Sequence, residues 1–404
     1  MGRDRAAAKH VMMLMGTRPE AVKTAPLALL LCRDSRFTAT AVDTGQQPGR
    51  VHEALAPFGL AADITLRLDR PTGTLSELAA ALITKIDALL ARERPATVVV
   101  QGDTTTVLVG GLVAFWHRIP VVHLEAGLRT WDVDQPFPEE ANRSMLARFA
   151  ALHLAPTPAA RQNLLDEGVR PGTVVVTGNT VVDALHTLVD NGLATPPAEV
   201  TAMRGPIVVA TMHRRENWGD GIRDSLEGLR RIARMRPDVH IVAVAHPNPR
   251  LREEMSAQLT GTPNATLIPP LPYPKMIGLL RAARLVITDS GGLQEEAATL
   301  GVPLLVTRNT TERPEAVESG HGQLVGTDPR QITRAALTLL SRPTTPTRPS
   351  PFGDGRAAEH ALAAIATLLE LPSRDQMTSR TKARTTPHQV STAARPTAPH
   401  NFIC

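Results

Sequence analysis

Cysteine is almost absent from this chain, and so are long apolar runs. Cys32 and Cys404 are the only cysteines among 404 residues, and their positions predict neither a disulfide framework nor a zinc site. No run approaches the eighteen consecutive apolar residues of a membrane helix, and the amino terminus lacks a secretory apolar core. These absences predict a protein of the reducing cytoplasm without membrane contact.

An excess of positive charge is also absent from the body of the chain. The formal net charge is +5, but the first nine residues and the segment from Pro372 onward hold eight basic residues against two acidic ones. The remainder has 36 basic and 37 acidic residues, so the basic balance lies in the tails. We therefore expect no nucleic-acid partner.

Apolar strand-like runs alternate with helical patterns along most of the chain. These runs lie at 10–15, 37–43, 96–100, 119–122, 152–155 and 173–176, and, after a polar, Pro-rich stretch, at 207–211, 240–245, 265–268, 285–288 and 304–307. Strands spaced by helices indicate βαβ units and a parallel sheet. Because 404 residues exceed the usual single core, we predict an α/β fold with two doubly wound domains and a cleft between them.

The composition also predicts where the domains begin and end. We expect a disordered amino terminus at 1–9, a first domain at 10–190, a second domain at 191–350, a last helix within 351–371 and a disordered tail at 372–404. The tail is rich in Thr, Pro, Ser and Arg, a composition that cannot bury enough apolar surface to become ordered.

Acidic residues follow two of the predicted strands and one later turn. Asp103 follows the run at 96–100, Glu125 follows the run at 119–122, and Glu139 lies just beyond. In open α/β sheets ligands bind at the carboxyl edge of the strands, so three carboxylates could serve acid–base chemistry on a sugar carbon. Any one of them alone is more often a capping or ion-paired residue.

Two strand-to-helix turns have the features of anion sites. In Gly16–Lys23, the exposed N–H groups of a helix start are joined by Arg18 and Lys23. In Thr288–Glu296, the helix start combines a capping serine, paired glycines that allow close backbone approach, and a carboxylate placed to accept ribose hydroxyls. These four residues are Ser290, Gly291, Gly292 and Glu296. Either segment could also be an ordinary helix start.

Two further polar segments follow strands of the second predicted domain. His213, in the run Met212–Asn217, stands beside two arginines that could stabilise a leaving diphosphate. Arg313, in Thr310–Glu315, offers a second anion contact. A solvated charge run and a helix cap are the plainer interpretations.

Eight segments together resemble a known family. They are GTRPEAVK, QGDTTT, HLEAGLRT, PFPEEANR, TGNTVVDAL, HRREN, TDSGGLQEEA and TTERPEA, and in this order and spacing, over about residues 10–370, the chain resembles the bacterial non-hydrolysing UDP-N-acetylglucosamine 2-epimerases. The resemblance implies two Rossmann-like domains in the GT-B arrangement and a last helix that packs back on the first domain. It also implies a homodimer that binds a UDP-sugar and uses no metal or nicotinamide cofactor.

The resemblance also implies roles for individual residues. It assigns Asp103, Glu125, Glu139 and His213 to catalysis, and Arg18, Lys23, Arg143, Ser290, Gly291, Gly292, Glu296 and Arg313 to substrate binding. The implied reaction removes UDP from carbon 1 together with the proton of carbon 2 to give 2-acetamidoglucal. UDP then adds back with protonation from the opposite face.

Several alternatives to this activity remain open from the sequence. Segments at 46–52, 132–135 and 350–355, together with Trp218, depart from the family pattern, so another UDP-hexosamine is a candidate substrate and activation by a second substrate molecule is in doubt. A hydrolysing 2-epimerase that releases UDP and N-acetylmannosamine is the nearest rival. A glycosyltransferase would share the nucleotide cradle, and a non-catalytic nucleotide-sugar sensor belongs to a different class.

Overall fold

Two parallel sheets organise the computed structural model, which describes residues 8–212, 218–246, 248–343 and 348–371. The strands of the first sheet are β1 (Lys9–Met15), β2 (Phe37–Asp43), β3 (Ile64–Thr65), β4 (Thr97–Gln101), β5 (Val121–Leu124), β6 (Leu152–Ala155) and β7 (Val174–Val176). Their order is β3-β2-β1-β4-β5-β6-β7. The order turns back on itself at β1 and β4, so a topological switch point lies between these strands, where such sheets bind ligands.

The second sheet repeats this plan with six strands. They are β8 (Ile207–Thr211), β9 (His240–Val244), β10 (Ala265–Ile268), β11 (Leu285–Thr288), β12 (Leu304–Val306) and β13 (Gly322–Leu324), in the order β10-β9-β8-β11-β12-β13. All pairings in both sheets are parallel. The α/β fold class with two doubly wound sheets is therefore confirmed.

Helices connect the strands on both faces of each sheet. In the first half they are α1 (Arg18–Arg33), α2 (Arg50–Leu55), α3 (Leu75–Glu93), α4 (Thr105–Trp116), α5 (Glu139–Leu146), α6 (Pro158–Asp166), α7 (Thr180–Asp190) and α8 (Ala198–Thr201). In the second half they are α9 (Asp220–Met235), α10 (Pro249–Leu259), α11 (Tyr273–Ala282), α12 (Gly291–Thr299), α13 (Pro314–Glu318), α14 (Pro329–Ser341) and α15 (Ala357–Leu368).

Polar caps fix where several of these helices begin. Thr74, Thr157, Asn179 and Asp328 each accept a hydrogen bond from a free N–H group of the first turn of the following helix. Such caps stabilise a helix by about 1 kcal/mol. These caps fix the residue at which each helix begins. They thereby position the residues that lie between the strand ends and the helices.

The strands are buried because helices cover both faces. The β4 residues Thr97–Gln101 and the β8 residues Ile207–Thr211 are buried at every position, as continuous apolar strands of parallel sheets usually are. The predicted runs matched these strands within two residues at most ends. The edge strands β3 and β13 were not predicted, because their sequences, IT and GQL, contain no apolar run.

The last helix, α15, contacts α1 and α7 beside the first sheet. Asp183 of α7 accepts hydrogen bonds from the N–H groups of Ala357 and Ala358 at 3.2 and 2.8 Å, which caps α15. Ala361 and Ile365 are 0% exposed in the core that these helices share.

The predicted ends of the chain fall largely outside the description. Residues 1–7 and 372–404 lie outside the described residues, and β1 already begins at Lys9. The domain limits remain predictions. Within the described ranges, no helix combines the length and the hydropathy that crossing a membrane requires.

Candidate functional site

A cavity of about 1400 Å³ lies between the carboxyl edges of the two sheets. Ten of the twelve residues that the sequence singled out line this cavity: Arg18, Lys23, Asp103, Glu125, Glu139, Ser290, Gly291, Gly292, Glu296 and Arg313. Arg143 is not among the lining residues, and it pairs with Asp103. His213 lies outside the described residues.

Asp103 stands directly after β4, with its carboxylate held from one side. Arg143 donates from Nη1 to Asp103 Oδ2 at 2.5 Å, and the Asn142 amide donates to the Asp103 carbonyl at 2.8 Å. The preceding Gly102 has φ +81°, a backbone conformation that favours glycine. The Asp103 side chain remains 25% exposed. Arg143 therefore fixes one carboxylate oxygen of Asp103, and the carboxylate remains accessible to solvent from the cavity.

Arg143 lies in the protein interior and does not line the cavity. It is 1% exposed and pairs with Glu140 as well as with Asp103. Glu140 in turn accepts hydrogen bonds from the N–H groups of Thr130 and Trp131 at 3.1 and 3.2 Å. Of the adjacent acids at the start of α5, Glu140 is buried in this network, whereas Glu139 is half-buried at the cavity.

Glu125 is the most constrained of the three predicted acids. It follows β5 with φ 65°, a left-handed conformation that costs a non-glycine residue about 1–2 kcal/mol. Lys23 Nζ lies 2.5 Å from Glu125 Oε1, Asn179 Nδ2 donates to the same oxygen at 3.2 Å, and the Gln101 amide donates to Oε2. These contacts therefore hold the Glu125 carboxylate in one orientation.

Burial gives Glu125 an unusual proton affinity. The side chain is 5% exposed, and this burial raises its pKa to about 7, while Lys23 lowers the pKa and Glu295 raises it. A carboxyl group that titrates near neutrality can both accept and release a proton at physiological pH. Such perturbed groups are typical of catalytic clefts.

The opposite wall of the cavity has the features of an anion cradle. The helix α12 begins at Gly291 after the N-cap residue Ser290, so its free N–H groups and its positive dipole end face the cavity. A Cβ on Gly291 would lie 2.4 Å from Arg313 Nη1. Only glycine lets this arginine approach the helix start. On Gly292 a Cβ would meet open space.

Glu296 and Arg18 complete the cavity on either side of the cradle. Glu296 is 7% exposed beside Tyr273, and burial raises its pKa to about 7. Arg18, at the start of α1, is exposed and donates to the Leu271 carbonyl of the other half of the chain at 3.3 Å. Its guanidinium can therefore serve ligands that span both walls.

Comparisons with known proteins agree on one family. The family model described as UDP-N-acetylglucosamine 2-epimerase matches residues 30–366. A Yersinia pestis protein named UDP-N-acetylglucosamine 2-epimerase is 41% identical over 88% of this chain and 98% of its own length. The chain belongs to the UDP-N-acetylglucosamine 2-epimerase family.

Solved structures agree with this assignment. The UDP-GlcNAc 2-epimerase of Neisseria meningitidis bound to UDP-GlcNAc has a TM-score of 0.83 and 35% identity, and it covers 89% of this chain and 100% of its own. An S. aureus MnaA–UDP structure has a TM-score of 0.85 and 36% identity, covering 90% and 98%. The predicted GT-B arrangement of the 2-epimerase family is therefore confirmed for this chain.

Sequence reasoning missed several residues that shape this 2-epimerase site. Gln101 and Asn179 fix Glu125, Asn142 fixes the Asp103 backbone, and Glu295 pairs with both Lys23 and Arg313. Gln101 is the first residue of the QGDTTT segment, and Asn179 lies in TGNTVVDAL with the pattern of an N-cap, so the sequence contained a signal for these two residues. The charge pairing of Glu295 left no signal in the sequence.

Glu20 is a further buried acid at the cavity of this 2-epimerase family member. It is 1% exposed, accepts from the Gly16 N–H group at 2.5 Å, and accepts from the Thr17 hydroxyl at 3.1 Å. Burial raises its pKa to about 7 against these hydrogen bonds. Between pH 4.5 and 7 the folded state therefore holds a proton that the unfolded state releases.

The free energy of unfolding should consequently fall as the pH rises through that window. A shift of this size amounts to about 3 kcal/mol, fully lost above about pH 7. Glu125 and Glu296, whose pKa values are also raised to about 7, contribute to the same window. We expect Glu20→Gln, which keeps an acceptor for Gly16, to make this dependence less steep and to be more stable than wild type at pH 8. Urea unfolding at pH 5 and pH 8 measures both. Glu53→Gln, whose side chain is 63% exposed, should follow wild type; a Glu20→Gln curve parallel to wild type would contradict the assignment.

Proposed function

We propose that this chain interconverts UDP-N-acetylglucosamine and UDP-N-acetylmannosamine by inverting carbon 2 of the sugar. The observation that carries this proposal is the placement of Asp103, Glu125 and Glu139 on one wall of a single cavity, opposite the helix start at Ser290 and Gly291. Acid–base groups and an anion cradle thus face each other across a space that a nucleotide sugar fits. Membership of the 2-epimerase family supports the same activity.

The chemistry explains why both walls are needed. The proton on carbon 2 is not acidic enough to leave alone, so the bond between carbon 1 and the UDP oxygen breaks as that proton is removed. The product is 2-acetamidoglucal, and readdition of UDP with protonation from the opposite face inverts carbon 2. Two faces require two acid–base groups, for which we propose members of the set Asp103, Glu125 and Glu139.

The departing UDP requires positive charge that is already in place. We propose that the free N–H groups at the start of α12 hold the diphosphate, together with Arg18 and Arg313 from the two sides. Glu296 is placed to accept hydrogen bonds from ribose hydroxyls. Carbon 2 is neither oxidised nor reduced over the whole reaction, so the atom balance requires no redox cofactor.

The Glu125 carboxyl group, whose pKa lies near neutrality, suits one role in the proposed reaction. Glu125, with its pKa raised to about 7 by burial, suits a group that takes a proton in one direction of the reaction and returns one in the other. His213, which lies outside the described residues, remains predicted to assist UDP departure. Homodimer assembly and the cytoplasmic location also remain predictions.

Proton NMR of the purified protein with UDP-N-acetylglucosamine in deuterium oxide tests the activity. We expect the carbon 2 proton signal to disappear by exchange and UDP-N-acetylmannosamine to accumulate. Free UDP with free N-acetylmannosamine would instead identify the hydrolysing reaction. Absence of both exchange and product would reject this substrate, and the same assay on other UDP-hexosamines would then separate an enzyme of different specificity from a sensor that binds without turnover.

A further inference from the structure

Six charged side chains form a continuous buried chain that crosses between the two halves of the molecule. From the first sheet to the second they are Glu125, Lys23, Glu295, Arg313, Glu312 and Arg308. Their signs alternate, successive members lie 2.5 to 2.7 Å apart, and each side chain is between 0 and 10% exposed. Three anions and three cations make the chain neutral, which buried charges require.

The crossing point of this charge chain is the pair of Lys23 and Glu295. Lys23 lies on α1, beside the first sheet, and Glu295 lies on α12, beside the second. Lys23 Nζ is 2.5 Å from Glu125 and 2.7 Å from Glu295. Glu295 Oε1 also accepts from Arg313 Nε at 2.6 Å, and Arg313 lies 3.7 Å from Glu125. Glu295 therefore holds both cations that face Glu125.

We propose that Glu295 is a positioning residue, which competes with Glu125 for Lys23 and Arg313, so that this acid shares both cations with the second half of the chain when the two halves are apposed. The inference rests on the proposed function, in which Glu125 exchanges protons with the substrate. Glu295 itself is 0% exposed and is not among the residues that line the cavity. It acts on Glu125 through the two shared cations and through its own charge.

The charges around Glu125 give the direction of the effect. Lys23 from α1 and Arg313 from the segment before α13 lower its pKa, Glu295 from α12 raises it, and burial raises it most. The other two contacts, Gln101 at the end of β4 and Asn179 before α7, are neutral amides. Removing the charge of Glu295 leaves Lys23 paired with Glu125 and Arg313 paired with Glu312. Both cations stay while one nearby anion is lost, so the pKa of Glu125 must fall from about 7.

The proposed effect of Glu295 on Glu125 is tested by measuring the pH dependence of kcat/KM for epimerisation in the Glu295→Gln variant. We expect the limb that reports Glu125 to move toward lower pH by about one unit, the effect of one nearby charge. Glu295→Asp keeps the charge on a shorter side chain, and its limb should stay closer to wild type. A Glu295→Gln limb at the wild-type pH would overturn the proposal, and so would equal shifts in both variants.

Glu315→Gln is the matched control. Thr157 donates to Glu315 at 2.5 Å, so this variant also alters a contact between the two halves, and it removes the same charge from the neighbouring helix α13. Glu315 is not part of the charge chain. Its pH profile should therefore overlay wild type, and a shift equal to that of Glu295→Gln would assign the effect to domain contact in general.

Chemical labelling of Lys23 gives a readout that does not depend on turnover. The chain has only five lysines, and the exposed Lys9 and Lys85 serve as internal references. Acetic anhydride followed by mass spectrometry should label Lys23 several-fold faster in Glu295→Gln than in wild type or Glu315→Gln. Unchanged labelling would overturn the inference. Faster labelling in a protein that fails the NMR assay would retain the contact and reject the proposed function.

Discussion

An Asp103→Asn enzyme should epimerise UDP-N-acetylglucosamine about a thousand-fold more slowly than wild type and still bind UDP. The substitution preserves shape, and Arg143 and Asn142 retain acceptors at the side chain and the carbonyl of residue 103. It removes the ability to take or give a proton, which contributes about 10²- to 10⁴-fold in rate. It also removes the charge opposite Arg143, which keeps Glu140 as an ionic partner. The UDP cradle lies on the opposite wall, at Ser290 and Gly291.

Deuterium exchange at carbon 2 measures the rate of this variant, and calorimetric titration with UDP measures its affinity. Asp134→Asn provides the control, because Asp134 also lines the cavity but belongs to an exposed loop, and we expect its turnover to stay within about threefold of wild type. Loss of UDP binding together with turnover in Asp103→Asn would mean that Asp103 is structural.

The fold and the ligand-facing edge were predictable because both depend on local signals. Buried parallel strands such as β4 and β8 are continuous apolar runs, and polar residues after them must meet at one sheet edge. These two rules predict Asp103 and Glu125 at one cavity, and both residues line it. The strand-to-helix turn at Thr288–Glu296 predicts the anion site of the other wall from the same kind of local signal, and the resemblance assigns the same residues.

The features of the site that could not be predicted depend on contacts between residues that are far apart in the sequence. Glu140 and Glu139 are adjacent in sequence, and only the way in which α5 begins decides that Glu140 is buried against Arg143 while Glu139 reaches the cavity. Glu295 resembles a solvated helix charge until α1 of the first half brings Lys23 to 2.7 Å from it. Charge pairs of this kind arise when two domains meet, and no spacing along one helix encodes them.

Arg143→Met should lower the free energy of unfolding by about 3–5 kcal/mol, because it leaves a buried carboxylate without its partner. Glu140 has a side chain only 2% exposed, and its carboxylate orders the backbone at Thr130 and Trp131. The same substitution releases Asp103. We therefore expect turnover to fall even at temperatures where the variant stays folded.

Urea unfolding followed by circular dichroism measures this stability change, with Arg148→Met as the control. Arg148 lies just after α5, has a side chain 59% exposed, and lies 3.8 Å from Glu167, so its loss should cost less than about 1 kcal/mol.

Arg143→Lys separates charge from geometry, since a lysine supplies one point charge where the guanidinium reaches two carboxylates. A lysine variant with wild-type stability but slow turnover would place the catalytic contribution of Arg143 in its geometry. If Arg143→Met unfolded at the wild-type urea concentration, Glu140 would have to be held by its backbone donors alone.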